Sequence, residues 1–190
     1  MLTEKAVNGL FLAVKKSSQN SLKTKMKKIE LFIFDVDGVL TDNTVYMGRN
    51  GAEYKRFCIA DGMAVYIARR AGIPTALISG RKSPATTSRA KELGITDFYQ
   101  YAGSKRKPFD KLLKKYRLQP EQTAFMGDDV IDVVLLKLAG VSATVPHAPE
   151  YVKKHADIVT RQQAGFGAAR EFVDMVLKAK GLDPLELTFK

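Results

Sequence analysis

The sequence predicts an α/β protein built on a doubly wound parallel sheet. Short apolar runs of strand length alternate along the chain with amphipathic stretches of helix length. Glycines and prolines that stop helices, such as Gly72, Pro74, Gly94 and Gly140, stand between the two. Three of the apolar runs end in polar, glycine-containing turns: Asp35-Val36-Asp37-Gly38, Ser79-Gly80-Arg81 and Gly127-Asp128-Asp129. Open α/β sheets bind ligands at the carboxyl ends of their strands, so these turns are expected to converge.

The elements follow in order. Ile29–Phe34 is a buried strand that ends at the Asp35 turn. Val45–Met47 and Glu53–Phe57 flank Gly48-Arg49-Asn50-Gly51, a β-hairpin in which Asn50-Gly51 supplies residues that accept positive φ. Met63–Ala71 is a helix stopped by Gly72 and Pro74. Thr75–Ile78 is the second buried strand. Pro84–Leu93 is a helix with Ser83 as N-cap and Gly94 past its end. Asp97–Tyr99 is a short strand, Pro108–Tyr116 a basic helix and Thr123–Met126 the third buried strand. A helix over Val130–Ala139, a strand over Val141–Val145 and a helix around Pro149–His155 come next. A short Ile158-Val159 strand and a helix over Ala168–Lys180 finish the series.

At 190 residues the chain has room for one domain with a sizeable core. We divide it into an N-terminal helical extension (1–27), the α/β domain (28–182) and a C-terminal tail (183–190). The lone cysteine, Cys58, excludes an internal disulfide framework and fits a reducing compartment. The apolar run Leu10–Val14 is too short to span a membrane, and with Glu4 before it and Lys15-Lys16 after it the segment does not read as a signal peptide. A cytoplasmic protein without a membrane partner is expected. The formal charge of +11 is spread over dispersed lysines with no aromatic-plus-basic motif, so no nucleic-acid partner is expected either.

The strand-end residues suit phosphoryl transfer. A carboxylate at Asp35 can attack a phosphoryl group and hold it covalently, which divides hydrolysis into two easier steps. Two anions repel, so a hard cation such as Mg²⁺, held by oxygen ligands, is required. Asp37 stands two positions on, placed to protonate the leaving oxygen and later to take a proton from water. Taken alone, an Asp-Gly pair more often marks a turn. Asp128, Asp129 and Asp132 form a second acidic cluster that exceeds what capping the following helix needs. Ser79 and Gly80 offer a hydroxyl and backbone N–H groups to phosphate oxygens. Arg81 and Arg89 are candidates for gripping an anion. Lys105 and Lys107 both have the charge wanted beside a transferring phosphoryl group. His147 and His155 lack a partner at metal-ligand spacing, and Cys58 reads as a packing residue.

This ordered set resembles the haloacid dehalogenase superfamily of phosphotransferases. Tyr46-Met47-Gly48 to Asp61-Gly62, Leu93–Thr96 with Phe98–Gln100, and Gly165–Glu171 are similar to its capless 3-deoxy-D-manno-octulosonate 8-phosphate phosphatases. The resemblance runs from about Ile29 to Gly181. It implies Asp35 as nucleophile and Mg²⁺ ligand, and Asp37 as acid/base lending its backbone carbonyl to the metal. Asp128 would be the third ligand, with Asp129 and Asp132 behind it. Ser79 and Lys105, chosen over Lys107 by the family spacing, would hold the phosphoryl group. Asp61, Gly62, Gly80, Arg81 and Arg89 would serve the sugar acid. A homotetramer is implied, with hairpins at its centre and Gly165, Gly167 and Arg170 reaching a neighbour's site. Ala60, Tyr66, Cys58 and Tyr101 depart from the family's usual residues, and they bear on which sugar-acid phosphate is taken. A nine-carbon sugar-acid 9-phosphate is the alternative to the eight-carbon 8-phosphate, and a non-catalytic anion-binding module the alternative to an enzyme.

Overall fold

The computed structural model describes residues 20–189. The expected N-terminal extension therefore lies mostly outside the described residues; its last part, residues 20–27, is helical (α1). The strands are β1 (Leu31–Phe34), β2 (Tyr46–Met47), β3 (Glu53–Tyr54), β4 (Thr75–Ile78), β5 (Asp97–Tyr99), β6 (Thr123–Met126), β7 (Val141–Thr144) and β8 (Ile158–Val159). Six of them form one parallel sheet in the order β5-β4-β1-β6-β7-β8, and β2 pairs with β3 as a separate antiparallel hairpin. The helices are α2 (Ile59–Arg70), α3 (Pro84–Glu92), α4 (Arg106–Tyr116), α5 (Val133–Leu138), α6 (Glu150–Lys153), α7 (Ala168–Lys180) and α8 (Pro184–Phe189).

β1 sits in the middle of the sheet with all four side chains buried, which is why its sequence, Leu-Phe-Ile-Phe, is apolar without alternation. Phe32 and Phe34 point to one face, where Phe32 meets the edge of Phe172 on α7. α2 and α7 pack together there. α4 and α5 also pack against each other, and the right-handedness of parallel crossovers assigns them to the opposite face. The direction of winding reverses between β1 and its neighbour β6, so their carboxyl ends frame the crevice where such sheets bind ligands. Phe34 is paired with Met126, which sets Asp35 beside Gly127-Asp128.

Several boundaries differ from expectation. α2 begins at Ile59, four residues earlier than expected, so Asp61 and Gly62 lie inside a helix rather than in a loop. α4 begins at Arg106, because a proline is tolerated in the first turn, where its missing N–H has no helical partner. The helix expected over Val130–Ala139 is a 3₁₀ turn, Val130–Asp132, followed by the shorter α5. The expected tail contains α8, whose Leu187 is buried and whose Leu187 carbonyl accepts a 3.0 Å hydrogen bond from Arg70 Nε on α2.

Candidate active site

Asp35 leaves the end of β1 as a buried residue, 5 % exposed. Its backbone N–H donates to the Met126 carbonyl and so extends the β1–β6 ladder by one residue. The turn that follows is tight. Gly38 has φ +84°, and a Cβ there would stand 2.0 Å from Asp128 Oδ2. Gly127 likewise leaves room for Asp132, whose Cγ would lie 2.4 Å from an added Cβ. The two glycines of the strand-end turns thus let backbone and carboxylates approach closely.

Asp35, Asp128 and Asp132 are buried, and each offers a carboxylate oxygen within 4.8 Å of the others. Lys105 is buried among them, with Nζ 2.7 Å from Asp35 Oδ1 and 2.5 Å from Asp132 Oδ1. These are ion pairs by distance, though their angles fall outside ordinary hydrogen-bond geometry. Three carboxylates against one ammonium leave two negative charges unbalanced in a buried space. Burial first, then the charge of Asp132, pushes the Asp35 carboxyl well above the usual range, and Lys105 only partly offsets this. Burial followed by repulsion from Asp35 and Asp132 pushes Asp128 up to about 8. Burial disfavours the Lys105 ammonium, but Asp35 and Asp132 outweigh it and its pKa ends above the ordinary lysine value.

The donor set fits a divalent cation. Oxygen ligands and an excess of two negative charges suit Mg²⁺. Asp132 is the least available of the three. Its Oδ2 accepts from the N–H groups of Asp128 and Asp129, and its Oδ1 faces Lys105, so it braces the loop and the lysine. Asp129 accepts from the Val130 N–H and caps the 3₁₀ turn while also facing the cavity. The cavity above these groups is about 310 Å³ and is lined by Asp35, Asp37, Gly80, Arg81, Asp128 and Asp129, with Asn43 and Ile131 completing the wall. Arg81 stands at its mouth, half-exposed, with Nη2 2.9 Å from Glu53 Oε2 on the hairpin.

The other expected site residues are placed differently. Ser79 is buried, and its hydroxyl is turned into its own loop, donating to the Arg81 carbonyl and accepting from the Arg81 N–H. Lys107 lies in a separate surface depression with Tyr101 and Lys111, which leaves Lys105 as the lysine of the site. Asp61, expected at the sugar acid, caps α7 instead: its oxygens accept from the Gly167 and Arg170 N–H groups at 3.2 and 3.0 Å. The reason is the early start of α2, which turns Asp61 inward toward the open N–H groups of a neighbouring helix. Gly62 lies against Arg89, whose guanidinium a Cβ would meet at 2.5 Å. Arg89 itself bonds the Cys58 carbonyl and Glu92, so neither residue lines the cavity. Gly165, Gly167 and Arg170, expected to reach a neighbour, are held by their own chain. Gly165 N–H donates to the Val39 carbonyl, its carbonyl accepts from Arg56, and Asp61 binds the other two. Ala60 lies in a groove beside α7, and Tyr66 packs near Arg69.

Three participants had no signal in the sequence. Asn43 lines the cavity from a left-handed backbone conformation, φ 62°. His147 places Nε2 3.7 Å from Asp128 Oδ2, a partner invisible at sequence separation. Lys55, on the hairpin, reaches Asp37.

A family model described as haloacid dehalogenase-like hydrolase matches residues 82–172. The 3-deoxy-D-manno-octulosonate 8-phosphate phosphatase KdsC of Escherichia coli is 42 % identical over 157 residues, covering 83 % of this chain and 84 % of that protein. Among solved structures, the 3-deoxy-D-manno-octulosonate 8-phosphate phosphatase of Moraxella catarrhalis, in complex with magnesium ion, phosphate ion and KDO, superposes with a TM-score of 0.85. It is 35 % identical, covering 90 % of this chain and 99 % of that one. The cobalt-bound phosphatase of Haemophilus influenzae gives a TM-score of 0.82 at 37 % identity, over 87 % of this chain and 99 % of its own.

Proposed function

The chain belongs to the 3-deoxy-D-manno-octulosonate 8-phosphate phosphatase family of the haloacid dehalogenase-like hydrolases, and from that premise we propose that it hydrolyses 3-deoxy-D-manno-octulosonate 8-phosphate to the free sugar acid and phosphate. One observation carries the reading. Asp35 lies buried at the β1–β6 crevice between Lys105 and Asp128, with Asp37 on the wall of the same cavity. A nucleophile, an acid/base and a charge-neutralising set for a phosphoryl group thus share one space.

In this mechanism an oxygen of Asp35 attacks phosphorus as the ester bond breaks, and Asp37 gives its proton to the leaving sugar oxygen. Water then attacks the phosphorus of the aspartyl-phosphate while Asp37 takes up a proton, releasing phosphate and the free Asp35 carboxylate. Lys105 faces the charge on the transferring group, and the Gly80 backbone and Arg81 stand where the substrate's anionic groups enter. Asp35, Asp128 and the Asp37 backbone carbonyl would hold Mg²⁺, which supplies neutralisation of the two anions that must meet.

The chain's place in the cell and its assembly extend the proposal. We assign it to the cytoplasm, in the making of a lipopolysaccharide sugar; among the described residues no helix is long and apolar enough to cross a membrane. A homotetramer centred on the hairpins is supported by the exposure of Tyr46, Met47 and Tyr54 there.

The test is a panel of phosphorylated sugar acids assayed with Mg²⁺, using the wild type and Asp35→Asn. Phosphate release is expected from the eight-carbon 8-phosphate ahead of nine-carbon 9-phosphates and simple esters, with no turnover by Asp35→Asn. Preference for a nine-carbon acid would move the substrate within the class. Failure to release phosphate from every sugar acid would overturn the reading.

A further inference from the structure

Lys55 follows β3 in the hairpin, and its side chain is completely buried. A buried lysine is rare unless each of its donors is matched. An ammonium has three N–H donors; this one has two hydrogen-bond acceptors and a third oxygen, Glu53 Oε1, that faces it as an ion pair only. Asp37 Oδ1 is 2.5 Å away, Thr86 Oγ1 on α3 is 3.3 Å away and Glu53 Oε1 is 3.5 Å away. Glu53 passes its other oxygen to Arg81 at the cavity mouth. Lys55 therefore joins the acid/base turn, the hairpin and the start of α3 at one point, and oppositely charged groups alternate from Asp37 out to Arg81.

Asp37 is engaged on one side only. Its Oδ1 is held by Lys55, while its Oδ2 is buried and has no hydrogen-bond partner among the described residues. Nothing on its own element fixes a carboxyl that follows β1 by three residues, and a rotation about its side-chain bonds would carry the proton away from the leaving oxygen. We propose that Lys55 is the positioning residue for Asp37. By holding Oδ1 it fixes the rotation of the Asp37 carboxyl on the cavity wall, and with it the carboxyl's approach to the sugar oxygen that departs when phosphorus passes to Asp35. The inference rests on the reading of Asp35 and Asp37 given above. It adds that the hairpin, which belongs to no strand of the main sheet, carries a residue that orients the acid.

The role predicts a dependence on the leaving group. A sugar alkoxide must be protonated as it leaves, whereas p-nitrophenolate departs unaided. The parameter to measure is kcat/KM, which reports the first irreversible step, transfer to Asp35. For Lys55→Met it is expected to fall roughly 100-fold with 3-deoxy-D-manno-octulosonate 8-phosphate, of the order seen when general acid catalysis is lost. With p-nitrophenyl phosphate the fall is expected to be under about 10-fold. Asp37→Asn should show the same selectivity, and adding Lys55→Met to it should cost the sugar phosphate little more, since both changes remove one function. Lys55→Arg keeps the charge with a different reach; should Lys55→Met fail to fold, the same two-substrate comparison is made with it.

Equal losses on both substrates, or no loss on either, would overturn the proposal, and so would full additivity in the double variant. A wild type inactive on both substrates with Mg²⁺, or an Asp35→Asn variant that stays active on both, would instead remove the proposed function and this inference with it.

Discussion

At the residue scale the site is an electrostatic problem, with two negative charges in excess of its one lysine. Lys105 neutralises part of what Asp35, Asp128 and Asp132 bring together, and burial makes the remainder costly. The sign of the resulting pH dependence follows from the raised carboxyl values. Asp35 and Asp128 titrate higher in the folded chain than in the unfolded one. Their contribution to the metal-free fold is fully present below the unfolded carboxylate range and is lost as pH rises toward about 8, the Asp128 value. Lys105, raised above the ordinary lysine value, keeps its charge through that window. On the proposed ligand set Mg²⁺ would take the place of the protons, so the gain in melting temperature from Mg²⁺ over chelator should grow between pH 6 and pH 8.5. A gain independent of pH would contradict the assignment of these carboxylates to the metal.

At the element scale, capping and burial decide what each segment does. Asp61 accepts from two N–H groups at the start of α7 while α2 holds it in place. Replacing it by alanine leaves one buried and one half-buried donor unpaired, and the expected cost is about 2 kcal/mol, seen as a lower urea midpoint at constant slope. Loss of activity with full stability would instead return Asp61 to the substrate. The three buried strands β1, β4 and β6 were legible because fully covered strands read as unbroken apolar runs closed by polar turns. The start of α2 was not, since Asp61-Gly62 looks like a loop, and a glycine inside a helix is excused only by what packs on it, here Arg89 and Leu93. α8 did have a signal in Asp183-Pro184. Asp183 accepts from the Leu185 N–H and Pro184 takes the first helical position, but six residues are too few to show periodicity. Lys55 had no signal at all. A lone lysine in a hairpin becomes a site residue only once the fold carries it to Asp37.

At the scale of the whole molecule, the same fold explains where the chemistry sits and what stays outside it. The winding reverses at β1 and β6, and Asp35 and Asp128 stand at those two strand ends, so the convergence expected from the sequence is a consequence of topology. The sugar-facing set was less legible. Asp61, Gly62 and Arg89 are engaged in packing α2, α3 and α7 together, and of the two expected arginines Arg81 is the one that faces the cavity. The exposed hairpin residues make an assembly prediction. Light scattering should give the mass of a tetramer, and Met47→Asp, placed on a side chain 67 % exposed in the single chain, should shift it toward monomer. A wild type that is monomeric at high protein concentration would contradict the assembly while leaving the site as described.

The most direct test of covalent catalysis at Asp35 is to trap the phosphoenzyme. The wild type is mixed with 3-deoxy-D-manno-octulosonate 8-phosphate and Mg²⁺, quenched during turnover and reduced with borohydride, which converts an aspartyl-phosphate to homoserine. Peptide mass mapping is expected to find homoserine at position 35 and nowhere else, and none when substrate is omitted. Reduction at another aspartate, or steady turnover with no reducible intermediate at Asp35, would contradict it.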